Sequence, residues 1–230
     1  MIATLPHEQV RRPFLYAAII FGLAMVFFAA SKATAAELKE HPHWSVEVKG
    51  GYFYPAADDW AAHYGSDKTW QFAGSLAYKL TRHIEAGIEG GMMQDQGAGS
   101  GQLSGTMTGK VDYALYPLNV FVLFRGVFNE EQFLVPYAGG GYTRMFYRQN
   151  IEGQGTAKGA VNGYHGRAGL QFLLDRIDVR SANNMYMDYG ILHTYFFLEA
   201  QYISAKSDTN SGGTIDLGGT SYLAGFLFEF

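Results

Sequence analysis

Few residues in this chain are of a type and spacing that could do chemistry. There is no cysteine among the 230 residues, which excludes thiolate metal sites, disulfides and a Cys nucleophile. A hydrolytic or acyl-transfer site needs a Ser or His with a carboxylate to orient it. His165, His193 and Ser204 are the nearest candidates. In His41-Pro42-His43 the proline holds the segment extended, a poor geometry for joint metal binding, and His63 stands apart. The glycine-rich stretch 97–101 lacks the Lys-Ser/Thr and the helix of a phosphate loop. No catalytic residue, metal or cofactor is expected. What remains is ionic: Glu47, Lys49, Lys79, Glu85, Glu89, Lys110, Asp112, Arg144, Arg167 and Glu199. Many of these are spaced by two or four, which on a β-strand places them on one face.

The elements that must hold them follow from composition and periodicity. Charged residues make up only 17% of the chain, against about 25% in soluble domains. Glycine numbers 29 and aromatics reach 16%, a mixture suited to closely packed strands with ring anchors. Residues 13–30 are an uncharged apolar run preceded by Arg11 and Arg12 and followed by Ala33-Thr34-Ala35. Basic flank, apolar core and small-residue site predict a secretory signal over residues 1–35, with cleavage after Ala35 or Ala36. An uncleaved anchor and a twin-arginine signal are the alternatives, and the strong hydrophobicity favours the ordinary Sec route. Residues 1–35 hold three of the 17 Lys+Arg and one of the 21 Asp+Glu, so the formal net charge of −4 becomes −6 without them. That balance gives no footing for nucleic acid.

Beyond residue 35 the recurring signal is alternation with period two. Trp44, Val46, Val48, Gly50, Tyr52 and Tyr54 oppose Ser45, Glu47, Lys49 and Phe53. Trp70, Phe72, Leu76 and Tyr78 oppose Gln71, Ser75 and Lys79; Ile84, Ile88 and Met92 oppose Glu85 and Glu89. A fourth strand begins its apolar set with Val111, Tyr113 and Leu115 and continues it with Leu118, Val120, Val122 and Phe124. That change of parity predicts a β-bulge near Tyr116-Pro117. A fifth sets Val135, Tyr137, Thr143, Met145 and Tyr147 against Tyr142, Arg144 and Arg148. A sixth sets Tyr164, Ala168, Leu170 and Phe172 against His165, Arg167 and Gln171. A seventh sets Thr194, Phe196, Leu198, Ala200 and Tyr202 against His193, Tyr195, Glu199 and Gln201, and an eighth ends at Phe230. Short turns alternate with long polar segments. The exception, residues 175–188, is either a short interfacial helix carrying Ile177, Val179, Ala182, Met185 and Tyr186 on one face or a structureless loop.

The aromatic-rich sets carry essentially no charge, which a water-facing surface would not tolerate. The opposite sets are rich in small residues: Ala73, Ser75, Ala77, Gly87, Gly91, Ala138, Gly140, Gly169 and Gly225. A narrow eight-stranded barrel has room inside only for small side chains, so the ionic face belongs in the lumen and the ring-bearing face on lipid. The expected fold is all-β: one eight-stranded antiparallel transmembrane barrel over residues 36–230. Its ten lumenal charges would form a structural polar network.

The last residues alternate back from the end as Phe230, Phe228, Phe226, Ala224 and Tyr222. This resembles the terminal-strand signal by which bacterial outer-membrane proteins engage their assembly machinery. The chain resembles the small outer-membrane barrels that include OmpA transmembrane domains, OmpX and OmpW. Leu115-Tyr116-Pro117-Leu118 and Val135-Pro136-Tyr137-Ala138-Gly139-Gly140-Gly141 are similar to the central strands of OmpW-like members. The resemblance implies an outer-membrane location, contact with lipid and lipopolysaccharide, and delivery by the barrel-assembly machinery, with Tyr222, Phe226, Phe228 and Phe230 as the signal. It implies a non-enzymatic protein, either a narrow channel for small apolar solutes or an adhesion or structural barrel. In the latter reading Trp60, Tyr64 and Asp58-Asp59 would be contact residues. A lipid-modifying enzyme is the third reading.

Overall fold

The computed structural model describes residues 42–56, 66–99, 109–129, 132–151, 155–208 and 214–230. Residues 1–35, expected to be a secretory signal, and His41, His63 and the first-loop residues Asp58, Asp59, Trp60 and Tyr64 lie outside them. Eight long strands form a closed antiparallel barrel. In chain order they are β1 (Trp44–Pro55), β2 (Thr69–Lys79), β3 (Ile84–Gly99), β4 (Gly109–Arg125), β5 (Leu134–Ile151), β6 (Gly155–Leu173), β7 (His193–Ser204) and β10 (Gly219–Glu229). Each pairs with its chain neighbours, and β10 closes on β1 with Val48 opposite Phe226. A small hairpin of β8 (Lys206–Asp208) and β9 (Thr214–Asp216) lies between β7 and β10. Closure leaves no sheet edge along the paired stretch, so the backbone is satisfied without water.

Wherever side chains are described, even-numbered residues of the eight barrel strands point outward and odd-numbered residues inward. Opposite residues in every register pair share parity, so the pattern passes unbroken around the barrel. The exterior carries Trp70, Phe72, Ile88, Val120, Val122, Phe124, Leu198 and Phe226, all exposed. The interior holds two apolar clusters. One includes Phe121, Leu123, Tyr137, Tyr195, Phe197 and Leu227 toward the end bearing Trp44 and Phe230. The other includes Phe53, Met93, Leu115, Met145, Val161 and Ile203 toward the opposite end.

Two sequence expectations are corrected. No bulge occurs at Pro117: Leu118 pairs with Gly90 and Leu115 with Met93, the same register on both sides of the proline. A Cβ on Gly91 would lie 2.9 Å from the Pro117 ring, so the missing side chain there lets the ring pass within a regular ladder. In β5 the faces are the reverse of those expected. Val135, Tyr137, Thr143 and Met145 are buried inside, whereas Ala138, Tyr142 and Arg144 point out. Both errors have one cause. The lumen is apolar near its ends, so hydrophobicity alone does not separate inside from outside there.

Interior space is made by glycines paired with rings. Tyr137 lies directly across from Gly169, where a Cβ would come within 2.7 Å of the tyrosine ring. Tyr147 covers Gly159 in the same way. Such aromatic cover compensates the exposed backbone of a strand glycine.

Between β6 and β7 the chain forms α1 (Val179–Tyr189), a helix rather than a structureless loop. Asp178 caps it by accepting from the Arg180 and Ser181 backbone N–H groups at 3.1 and 3.0 Å. Gly190, with φ of 71°, ends it in the left-handed conformation. None of its residues is buried, and Val179, Tyr186, Met187 and Tyr189 are exposed.

Gly169→Val is expected to expel the Tyr137 ring and cost about 1–3 kcal/mol in urea unfolding of the folded barrel. Gly90→Ala, which meets nothing within 4 Å, is expected to change stability by less than about 0.5 kcal/mol. A second prediction concerns the helix. Hydrogen bonds from the Ser181 backbone N–H and hydroxyl, then from Arg180, hold the Asp178 carboxyl below its ordinary range. Its capping contribution is therefore complete above the ordinary aspartate range and is lost as pH falls through the depressed value. Amide exchange at Arg180 and Ser181, read against pH, is expected to accelerate only in that acidic window.

Candidate functional site: the ionic girdle and the tall hairpins

Between the two apolar clusters the lumen is crossed by an ionic girdle. Alternation along β1 points Glu47 and Lys49 inward, and the cross-strand register brings Glu89 of β3, Arg167 of β6 and Glu199 of β7 to meet them. Lys49 Nζ lies 2.6 Å from a Glu89 oxygen and 2.5 Å from a Glu199 oxygen. An Arg167 guanidinium nitrogen lies 2.9 Å from Glu89, 3.1 Å from Glu47 and 3.5 Å from Glu199. Neutral donors add to the carboxylates' partners. Ser75 donates to Glu47 at 2.8 Å, Tyr137 to Glu199 at 2.8 Å, and Asn119 and Gln201 to Glu89 at 2.9 and 3.1 Å. The Arg167 guanidinium also lies over the Phe121 ring, 4.0 Å from its centroid. The Thr143 hydroxyl donates to the Asn119 carbonyl, so its contact with His165 Nδ1 at 2.9 Å requires the ring N–H to donate.

A second ionic group sits nearer the end bearing Phe230. Arg125 of β4 and Lys79 of β2 both bond Glu229 of β10. Arg125 also donates to Gln171 at 2.6 Å and lies 3.7 Å from Glu85, whose other oxygen accepts from Ser45 at 2.9 Å. Arg125 packs over the Tyr195 ring at 5.4 Å.

The structure thus brings together seven of the ten ionic residues singled out from sequence: Glu47, Lys49, Lys79, Glu85, Glu89, Arg167 and Glu199. Asp112 and Arg144 do not belong to the lumen. Both are at even positions, outward and exposed, and Arg144 lies 5.5 Å from the Phe146 ring centroid. Lys110 is on β4, but its side chain lies outside the described residues. Arg125, Glu229 and Tyr137 were missed. Glu229 hides between Phe228 and Phe230, and its odd position was the available signal. Tyr222, Phe226 and Phe228 line the outward face of β10, and Phe230 directly follows the strand.

The chemistry candidates are not assembled. His165 is lumenal, whereas Ser204 points outward opposite Tyr164. His193 lies at the other end of β7, bound to Asp175 at 2.9 Å. His43 stacks on Tyr78. Among the described residues no group of three or more His, Asp or Glu is placed to hold a metal.

The wall is uneven. β3, β4, β5 and β6 have 16, 17, 18 and 19 residues. The other barrel strands, β1, β2, β7 and β10, have 12, 11, 12 and 11. Beyond Gln94, β3 pairs only with β4, and before Tyr164, β6 pairs only with β5 among the described residues. A four-stranded sheet therefore rises past the barrel proper at the end away from Trp44 and Phe230.

Lys49→Met would leave Glu47, Glu89 and Glu199 sharing Arg167 alone where water does not reach. Breaking a buried pair in this way costs about 3–5 kcal/mol. Urea unfolding is expected to show that loss, with Lys49→Met/Glu199→Gln less destabilised than the two single changes would sum to.

Comparison with known proteins gives the family. Residues 21–230 match the family model described as outer membrane protein beta-barrel domain. No curated protein matches the chain. Among solved structures, Neisserial surface protein A superposes with a TM-score of 0.54 at 11% identity, covering 81% of this chain and 97% of that one. The outer membrane protein OprG from Pseudomonas aeruginosa gives 0.54 at 14% identity, covering 84% and 99%. A closed barrel with an apolar exterior, an ionic interior and this family match is an integral protein of the bacterial outer membrane, and the chain belongs to the outer membrane beta-barrel domain family.

Proposed function

We propose that this is a non-enzymatic, sealed barrel whose role is carried by what its tall hairpins present outside the cell, not by passage of solute along its axis. One observation carries the reading. The side chains of Lys49, Glu47, Glu89, Arg167 and Glu199 have relative accessibilities of 0–1%. The girdle is buried from solvent, and apolar clusters flank it on both sides along the lumen. Eight-stranded barrels are narrow enough for side chains to fill them. The projecting β3–β6 sheet, whose upper β3 and β6 residues have no ladder partner on their outer side among the described residues, offers the kind of surface to which an extended partner segment can pair.

The channel reading keeps one support, the apolar upper lumen around Phe53, Met93, Met145 and Ile203, where a small apolar solute would be at home. Such a solute would still have to displace the girdle to cross. In delivery, the outward Tyr222, Phe226 and Phe228, with Phe230 beyond the strand, are the residues we assign to contact with the assembly machinery.

The purified barrel reconstituted in planar bilayers is expected to give no conductance steps above bare lipid. Liposomes bearing it are expected to show no faster uptake of small apolar solutes. Steady single-channel conductance or solute uptake by the unmodified protein would overturn the sealed reading.

A further inference from the structure

On the outward face of β5, Leu134, Pro136, Ala138 and Gly140 are followed by Tyr142, which pairs with Tyr164 of β6. Both tyrosines are exposed, at 48% and 71%. They form the outer aromatic girdle of this part of the wall, the level at which hydrocarbon gives way to head groups. Immediately beyond them the same face turns basic. Arg144 is two residues past Tyr142 and Arg148 six. At ~3.3 Å per residue and a tilt near ~40°, they rise about 5 Å and about 15 Å above the girdle.

Arg148 is directly opposite Lys158 of β6. Like charges facing each other across a strand pair are destabilising. All three cations are exposed, and among the described residues none forms an ion pair. The Arg144 guanidinium rests against the Phe146 ring, which orients it along the wall. Asp112 of β4, opposite Asn150 of β5, is the one described carboxylate on the outward faces of β4–β6 above Tyr142. Three cations against one carboxylate, arranged along the wall and not at a hairpin tip, suit an anion approaching sideways from the membrane.

We propose that Arg144, Arg148 and Lys158 form a ladder that binds the phosphate groups of the glycolipid in the outer leaflet. Arg144 takes a phosphate at the hydrocarbon boundary, and the Arg148–Lys158 pair shares one farther out. The bound anion removes the cross-strand repulsion and ties the tall β5–β6 hairpin to the lipid surface. Arginine offers paired N–H donors to phosphate oxygens, and lysine a compact charge beside them. The continuity of this face with the lipid-facing wall selects a membrane lipid over a soluble polyanion. The inference stands whether or not the barrel conducts.

The test uses the full folded barrel and rough lipopolysaccharide, its retention measured by native mass spectrometry after detergent extraction. Folding is checked by gel mobility with and without heating. Arg144→Gln, Arg148→Gln and Lys158→Gln are each expected to weaken retention by roughly fivefold. Dephosphorylated lipopolysaccharide is expected to be retained no better by the unmodified barrel than by the triple variant. Lys68→Gln, which removes an outward cation that lies over the Tyr52 ring, serves as a charge control and is expected to have no such effect. An equal fall with Lys68→Gln would reduce the ladder to nonspecific attraction and overturn it. So would full competition by inorganic phosphate, which would mark a free-phosphate site. Binding of heparin without retention of lipopolysaccharide would overturn it in favour of a soluble polyanion.

Discussion

In hydrocarbon no water is present to satisfy a backbone N–H or C=O, so a sheet that crosses a membrane must close on itself. The pairing of β10 with β1 meets that demand, and much else in the protein follows from it. Once the ladder is continuous, alternation is locked around the whole circumference, with even residues outside and odd residues inside. A one-residue slip in any strand would put Glu89 or Arg167 on lipid and Ile88 or Ala168 in the lumen. The ionic residues are therefore enclosed by topology, and having been enclosed they must find each other. Lys49 and Arg167 do so with carboxylates supplied by β1, β3 and β7, residues as much as 150 positions apart in sequence.

The interior is layered along the axis, with an apolar cluster at each end and charge in between. This order makes the lumen a packed core turned inside a lipid-facing shell. Its fit depends on small residues at defined places. Gly169 makes room for Tyr137, whose hydroxyl then reaches Glu199, so the absence of a side chain on one strand completes the hydrogen bonding of a charge on another. Gly91 does the same for Pro117, a residue that would otherwise interrupt the sheet.

Departures from local consistency collect on the tall side of the wall. There an outward Arg148 faces Lys158, and an outward Asp112 and Arg144 follow a run of lipid-facing residues. Natural sequences break such rules mainly where something outside the chain supplies the compensation. The described lumenal charges, by contrast, are paired with one another inside the barrel. The division of labour is physical: the lower, evenly paired part supplies rigidity, and the extended β3–β6 sheet supplies a surface still short of partners.

Periodicity in the sequence was enough to establish a barrel of eight strands, their order and the outward direction of six of them. A charge recurring every second or fourth residue beside uncharged aromatics has one low-energy arrangement around lipid. It was enough, too, to single out Glu47, Lys49, Glu85, Glu89, Arg167 and Glu199 as a lumenal set. It did not resolve β5 or the upper part of β4, because Tyr137, Met145, Tyr113 and Leu115 are apolar and inside, so polarity ceased to mark the face. Nor did it show that Arg144 and Asp112 point outward and away from the lumen. Those outcomes were decided only by register: which residue lies opposite which, carried around a closed ring, fixes a side chain's face and height independently of its hydrophobicity.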